Sequence, residues 1–236
     1  MTGPGRSMSY QVRFLLTNDD GAHAEGLQAL RRAVANLGPA LTIAPHEHVS
    51  GCSHQATTHR PLELTELDQR WFMLDGSPVD CTRVGLCELA PDVEWVISGI
   101  NEGGNLGVDV YLSGTVAAAR EACLMGRQAI ASSQYHRRGP IDWATTEGYA
   151  AAVLPVLISR PLPPGRFWNV NLPHTDGPDM PEHVYSGLDL HALPVRYEKL
   201  NGRLQYVGSY HERKRSAGSD VEVCFGGRIS ITEIAL

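Results

Sequence analysis

The chain has 236 residues, 42% of them hydrophobic and 19% charged, with a formal net charge of −6. These values fit one large folded domain, or one domain with an extension, and exclude global disorder. They also exclude a broad basic footprint for a nucleic-acid duplex or an anionic membrane surface.

The first residues, "MTGPGRSMSYQ", lack the apolar run of a secretory leader, and residues 1–10 are read as a flexible head. No stretch of 18 or more apolar residues predicts a membrane span. Five cysteines (Cys52, Cys81, Cys87, Cys123 and Cys224) match neither zinc-ligand nor disulfide-framework spacing. They are expected as free thiols in a reducing, cytoplasmic setting.

"VRFLL", from Val12, predicts a buried strand. Leu27, Leu30, Val34 and Leu37 then recur at helical spacing, with Gly38 as a stop. "LTIA" and "WFML" are two further strands. Ser77 is expected to cap a helix, with Pro78 in its first position and Asp80 favoured by the helix dipole. "WVISGI" predicts a strand, "SGTVAAAREACLMG" a small-residue helix, "QAIASS" a strand, "DWATTEGYAAAVLPVLISR" a helix and "FWNVNLP" a strand.

Alternating β and α units with near-continuous apolar strands predict a mostly parallel sheet covered on both faces. The expected fold is α/β, a Rossmann-like doubly wound core over residues 11–175. Residues 176–236 read as a β-rich extension, with a hairpin turn at Asn201-Gly202 and a strand in "GGRISITEI".

In such sheets ligands bind beyond the carboxyl ends of the strands. Asn18, Asp19, Asp20 and Gly21 follow the first strand. Two adjacent carboxylates repel one another, and a hard divalent cation would remove that cost. The same four residues are also good turn chemistry. The loop from Gly99 to Tyr111 is rich in Gly and Asn and leads to Ser113, Gly114 and Thr115 at a helix start. It offers backbone and hydroxyl donors for an anion, or an ordered structural loop. It matches neither a P-loop nor a dinucleotide fingerprint. His46, His48, His54 and His59 cluster after the second strand without zinc-site spacing, and are expected at the surface or facing substrate.

Together "LLTNDDGAHAEG", the Ser50-Gly51 pair, "GSPVDC", "SGINEGGNLGVDVYLSGTVAAARE" and "NVNLP" occur in an order that resembles SurE, the survival-protein family of 5′/3′-nucleotidases. The resemblance implies one divalent cation per subunit, Mg2+ or Mn2+, held by Asp19, Asp20, Ser50 and Asn101. It implies hydrolysis of nucleoside 5′-monophosphates, and of 3′-monophosphates as a further substrate, with Asp19 and Asp20 as the catalytic carboxylates. Asn18, Gly51, Asn105, Ser113, Gly114 and Thr115 are expected to contact substrate, and the protein to assemble as a homodimer or homotetramer. A phosphatase for another small metabolite, or a non-catalytic nucleotide- or phosphate-binding module on the same fold, are the alternative readings. A covalent aspartyl-phosphate would want D-x-D spacing, which adjacent carboxylates do not supply.

Overall fold

The computed structural model describes residues 11–137, 139–177 and 179–236. The head expected over residues 1–10 lies outside the described residues. Nine strands form one sheet. They are β1 (Phe14–Thr17), β2 (Ala40–Pro45), β3 (Leu64–Asp68), β4 (Trp71–Leu74), β5 (Trp95–Glu102), β6 (Gln128–Gln134), β7 (Arg166–Leu172), β8 (His183–Tyr185) and β11 (Ile229–Ala235). The remaining two, β9 (Tyr197–Leu200) and β10 (Arg203–Tyr206), pair only with each other.

The sheet order is β3-β4-β2-β1-β5-β6-β7-β11-β8. The six strands from β4 to β7 are parallel, whereas β3 and β11 run antiparallel to their neighbours β4 and β7. From β1 the chain builds outward to β2 and β4, then returns to lay β5 on the other side of β1. The switch point therefore falls between the tips of β1 and β5, where such sheets leave a crevice.

Side-chain alternation assigns the two faces. Phe14 and Leu16 of β1 pack with Leu27, Leu30 and Leu157, from α1 (Glu25–Val34) and α4 (Trp143–Ile158). Leu15, between them, packs with Cys81, Val116 and Ala119, from α2 (Pro78–Val84) and α3 (Gly114–Leu124). All three β1 side chains are fully buried, which is why the strand reads as an unbroken apolar run. Among the described residues no helix is long and apolar enough to cross a membrane.

Local chemistry fixes the element ends. Ser77 and Asp80 form a reciprocal capping box at α2: Asp80 N–H donates to Ser77 Oγ (3.1 Å) and Ser77 N–H to Asp80 Oδ2 (2.9 Å). Gly26 lets α1 lie directly on β5, because a β-carbon there would run into the carbonyl of Ile100. Asn201 and Gly202 both adopt positive φ (51° and 76°), the backbone of a tight hairpin turn between β9 and β10.

Residues beyond 175 do more than form strands. They include α5 (Asp220–Phe225) and a short 3-10 turn, Tyr210–Glu212. β8 and β11 complete the main sheet, so the C-terminal strands extend the core as well as projecting from it.

This region folds around two buried carboxylates. Asp189 accepts from Ser216 N–H (2.6 Å), His191 N–H (2.9 Å) and His191 Nδ1 (2.9 Å). Burial alone would raise its pKa, but these donors outweigh burial and hold it at about 2. A depressed pKa in the folded state stabilises the protein above the unfolded value near 4. That contribution, roughly 2 kcal/mol, disappears as pH falls through about 2. Asp189→Asn is therefore expected to be less stable than the parent at neutral pH. The gap should close between about pH 4 and pH 2 in denaturant titrations.

Candidate active site

The chain leaves β1 into a tight turn. Asn18, fully buried, donates from Nδ2 to the carbonyl of Gly21 (2.9 Å), and Gly21 takes a φ of 103°. This turn leaves Asp19 and Asp20 at the β1 tip, with Asp19 only 3% exposed. Across the switch point, β5 runs to Asn101 and Glu102. Glu102 N–H donates to Asp20 Oδ2 (3.0 Å), and His48 Nδ1 lies 3.3 Å from Asp20 Oδ1.

Asp19 faces the start of α3. The Thr115 hydroxyl donates to Asp19 Oδ1, and the Thr115 backbone N–H also stabilises the carboxylate. Thr115 Oγ1 is 3.3 Å from Asn101 Oδ1. The Asn101 amide is turned by its own Nδ2, which donates to the carbonyl of Gly103 (2.7 Å). Asp19, Asp20, Asn101 and Thr115 thus converge from three separate segments.

Their electrostatics are unfavourable on their own. Burial raises the pKa of Asp19 despite its hydrogen bonds. Burial, and then the charge of Asp19, push Asp20 up to about 6 against the pull of Glu102 N–H and His48.

The expected substrate contacts divide. Thr115, expected on phosphate, is fully buried, and its hydroxyl is committed to Asp19 instead. Ser113 caps α3, its Oγ accepting from Val116 N–H (3.0 Å). Asn105 sits in an asparagine cluster. Its N–H donates to Asn171 Oδ1 (2.8 Å), its Nδ2 to Ser133 Oγ (2.8 Å), and its carbonyl accepts from Asn169 and Asn171. Asn169 and Asn171, two apart on β7, share one face of the strand, which explains the alternation in "NVNLP".

Ser50 and Gly51 are exposed at a turn of the loop after β2. The loop itself is pinned beside the carboxylates. Val49 N–H donates to the carbonyl of Asp19 (2.8 Å), Ser53 Oγ donates to the carbonyl of Tyr111 (2.7 Å), and His54 Nε2 lies 2.7 Å from Glu121 Oε2. Glu121 also accepts from Arg83 Nε (2.6 Å).

Gly114 has no room for a side chain. A β-carbon there would lie 2.9 Å from Cys52 Sγ and 3.0 Å from both Cβ and Oδ2 of Asp19. Gly114→Ala is expected to displace the Asp19 carboxylate and lower activity at least tenfold, on the order expected for misplaced catalytic groups. The melting temperature should fall by only a few degrees, the scale of one overpacked methyl group. An unchanged kcat/KM would show that Asp19 tolerates the shift.

A second layer holds the loop between β5 and α3, and nothing local in the sequence marks it. Arg213, 4% exposed, donates to Asp109 Oδ2 (2.5 Å) and to the carbonyl of Leu106 (3.3 Å). Tyr210 OH donates to the carbonyl of Gly104 (3.1 Å). Asp220, fully buried, accepts from Gly107 N–H (2.6 Å). In "YHERKRS" the arginine is one charge in a run that looks like a solvated face.

The fold and site define an α/β protein with a carboxylate pair at the switch point of a doubly wound sheet. The family model described as survival protein SurE matches residues 14–193, and the chain belongs to the SurE family. It is 46% identical over 225 residues to a putative 5′-nucleotidase of Nostoc sp., covering 94% of this chain and 99% of that protein. It is 40% identical over 230 residues to the 5′-nucleotidase SurE of Myxococcus xanthus, covering 94% and 87%. The crystal structure of the SurE protein from Aquifex aeolicus superposes with a TM-score of 0.82 at 28% identity, covering 94% and 92% of the two chains.

Proposed function

We propose that this protein is a divalent-cation-dependent phosphomonoesterase that hydrolyses nucleoside 5′-monophosphates to nucleoside and inorganic phosphate. The observation that carries the reading is the Asp19–Asp20 pair at the β1–β5 switch point, Asp19 buried and Asp20 half-buried, with Asn101 beside it. Family membership and the names of the relatives support the reaction.

The donor set fits a hard cation. Asp19, Asp20, Ser50 and Asn101 would offer a cation only oxygen, and burial leaves both carboxylates with raised pKa values despite the pull of His48, a cost that a bound cation would remove. These four residues would hold Mg2+ or Mn2+. Such an ion, when bound, polarises a phosphoryl oxygen and makes a water molecule more acidic.

The chain's own groups complete the chemistry. Asp19, aligned by Thr115, orients the attacking water and takes its proton. Asp20, held by Glu102 N–H, stays fixed while charge shifts at its neighbour. The first N–H of α3, at Gly114, and the His48 imidazole beside Asp20 would stabilise charge on the transferring group.

The test is release of inorganic phosphate from a panel of nucleoside monophosphates and from p-nitrophenyl phosphate. It is run with Mg2+, with Mn2+ and with EDTA. Metal-dependent turnover of the nucleotides supports the proposal. Turnover confined to non-nucleotide esters would replace the substrate class, and no turnover of any ester would overturn the reading.

A further inference from the structure

Ser50, one of the four oxygen donors assigned to the cation, makes no hydrogen bond of its own among the described residues. Its neighbours fix it instead. On one side, Val49 N–H donates to the Asp19 carbonyl (2.8 Å). On the other, Ser53 N–H donates to the Leu112 carbonyl (3.1 Å) and Ser53 Oγ to the Tyr111 carbonyl (2.7 Å). Between them the chain turns through Gly51, at a φ of 73°. Ser53 also takes a positive φ, 53°. A residue with a β-carbon keeps that left-handed backbone only where its surroundings enforce it.

His54, next in the chain, supplies that constraint. Its Nε2 lies 2.7 Å from Glu121 Oε2, in a pair whose side chains are only 27% and 5% exposed. Glu121 lies about two turns beyond Gly114 on the same face of α3. Cys52 meets that face at Gly114, where a β-carbon would come within 2.9 Å of its Sγ. His54 meets it at Glu121. The loop is thus laid along a helix whose first turn also holds Asp19 through the Thr115 hydroxyl. The other oxygen of Glu121 accepts from Arg83 Nε (2.6 Å), which braces α2 rather than the loop.

We propose that His54 and Glu121 are positioning residues for Ser50, and that their pair sets the reach of the loop toward the cation. The inference rests on the cation-dependent phosphomonoesterase reading above. Neither residue is itself a ligand. His54 fixes Ser53, Ser53 fixes the turn, and the turn brings the Ser50 hydroxyl to the carboxylates. A carboxylate attracts an ion from a distance through its charge, whereas a neutral hydroxyl contributes only at contact. Ser50 therefore depends on this latch more than Asp19 and Asp20 do.

The experiment uses the full chain, with Mn2+ as the probe and no substrate. Calorimetric titration compares the parent with His54→Ala, His54→Gln and Arg83→Met. His54→Ala should bind Mn2+ about tenfold more weakly, the scale on which groups behind a metal ligand act. His54→Gln, whose amide can still bond to Glu121, should recover most of that loss. Arg83→Met breaks the other bond of the same carboxylate, so it should lower the melting temperature and leave Mn2+ affinity unchanged. Adding His54→Ala to Ser50→Ala should cost no more affinity than Ser50→Ala alone, because the two changes act through one ligand.

Hydrogen exchange without metal gives a readout independent of binding. The N–H groups of Val49 and Ser53 should exchange faster in His54→Ala than in the parent. Unchanged Mn2+ affinity in His54→Ala overturns the inference. So does an equal loss in Arg83→Met, or additive losses in the double variant. A parent that binds no Mn2+ and releases no phosphate overturns the phosphomonoesterase reading itself, and the inference with it.

Discussion

Asp19→Asn is expected to lower metal-dependent phosphate release by at least about 10³-fold, the scale on which a proton acceptor and its metal contribute. The fold should survive. Asparagine has nearly the shape of aspartate, and its amide oxygen can still accept from the Thr115 hydroxyl. Without metal the variant should be no less stable than the parent, because one of two adjacent desolvated charges has gone. The parent's melting temperature should rise with Mg2+ or Mn2+, as binding to the folded state requires. That rise should vanish in Asp19→Asn. Calorimetric scans with and without metal, paired with phosphate-release assays, check both halves. Near-parental turnover would remove Asp19 from the chemistry.

The second large effect is on stability. Arg213→Met removes the partner of Asp109 and strands that carboxylate in a largely dry setting, where the Arg213 side chain is 1% exposed and Asp109 14%. Breaking a buried pair from one side costs about 3 kcal/mol or more. Chemical denaturation should show the loss. Hydrogen exchange should place the loosening at residues 103–112, since Arg213 also holds the Leu106 carbonyl. Exchange unchanged in that loop, with stability reduced elsewhere, would mean that Arg213 serves only its own segment.

The sequence is most readable where burial is uniform. β1, β2, β5, β6 and β7 are buried nearly throughout, β4 is apolar with alternating burial, and α2 announces itself through Ser77, Pro78 and Asp80. β3 escapes because "LTELD" is a mainly exposed antiparallel edge strand with no apolar face. α5 escapes because six residues carry too little periodicity. The seat of β11 between β7 and β8 depends on pairing with distant segments, which no local pattern records.

The site divides in the same way. Asp19, Asp20 and Asn101 are legible as polar residues at strand ends. The Thr115 hydroxyl looks like a ligand donor in its own segment. Only the fold places it against Asp19, 96 residues away.

The long reach of Arg213 and Asp220 has a consequence during synthesis. The bonds that fasten the loop before α3 join residues 104 and 113 positions apart. At ordinary translation rates the ribosome needs roughly 5–20 s to supply those partners after the loop has emerged. Through that interval the carboxylate pair and its strands can already be paired while the loop beside them lacks its anchors. A nascent chain would therefore acquire a complete sheet centre before it acquires a working site, and competence would arrive late and in one step.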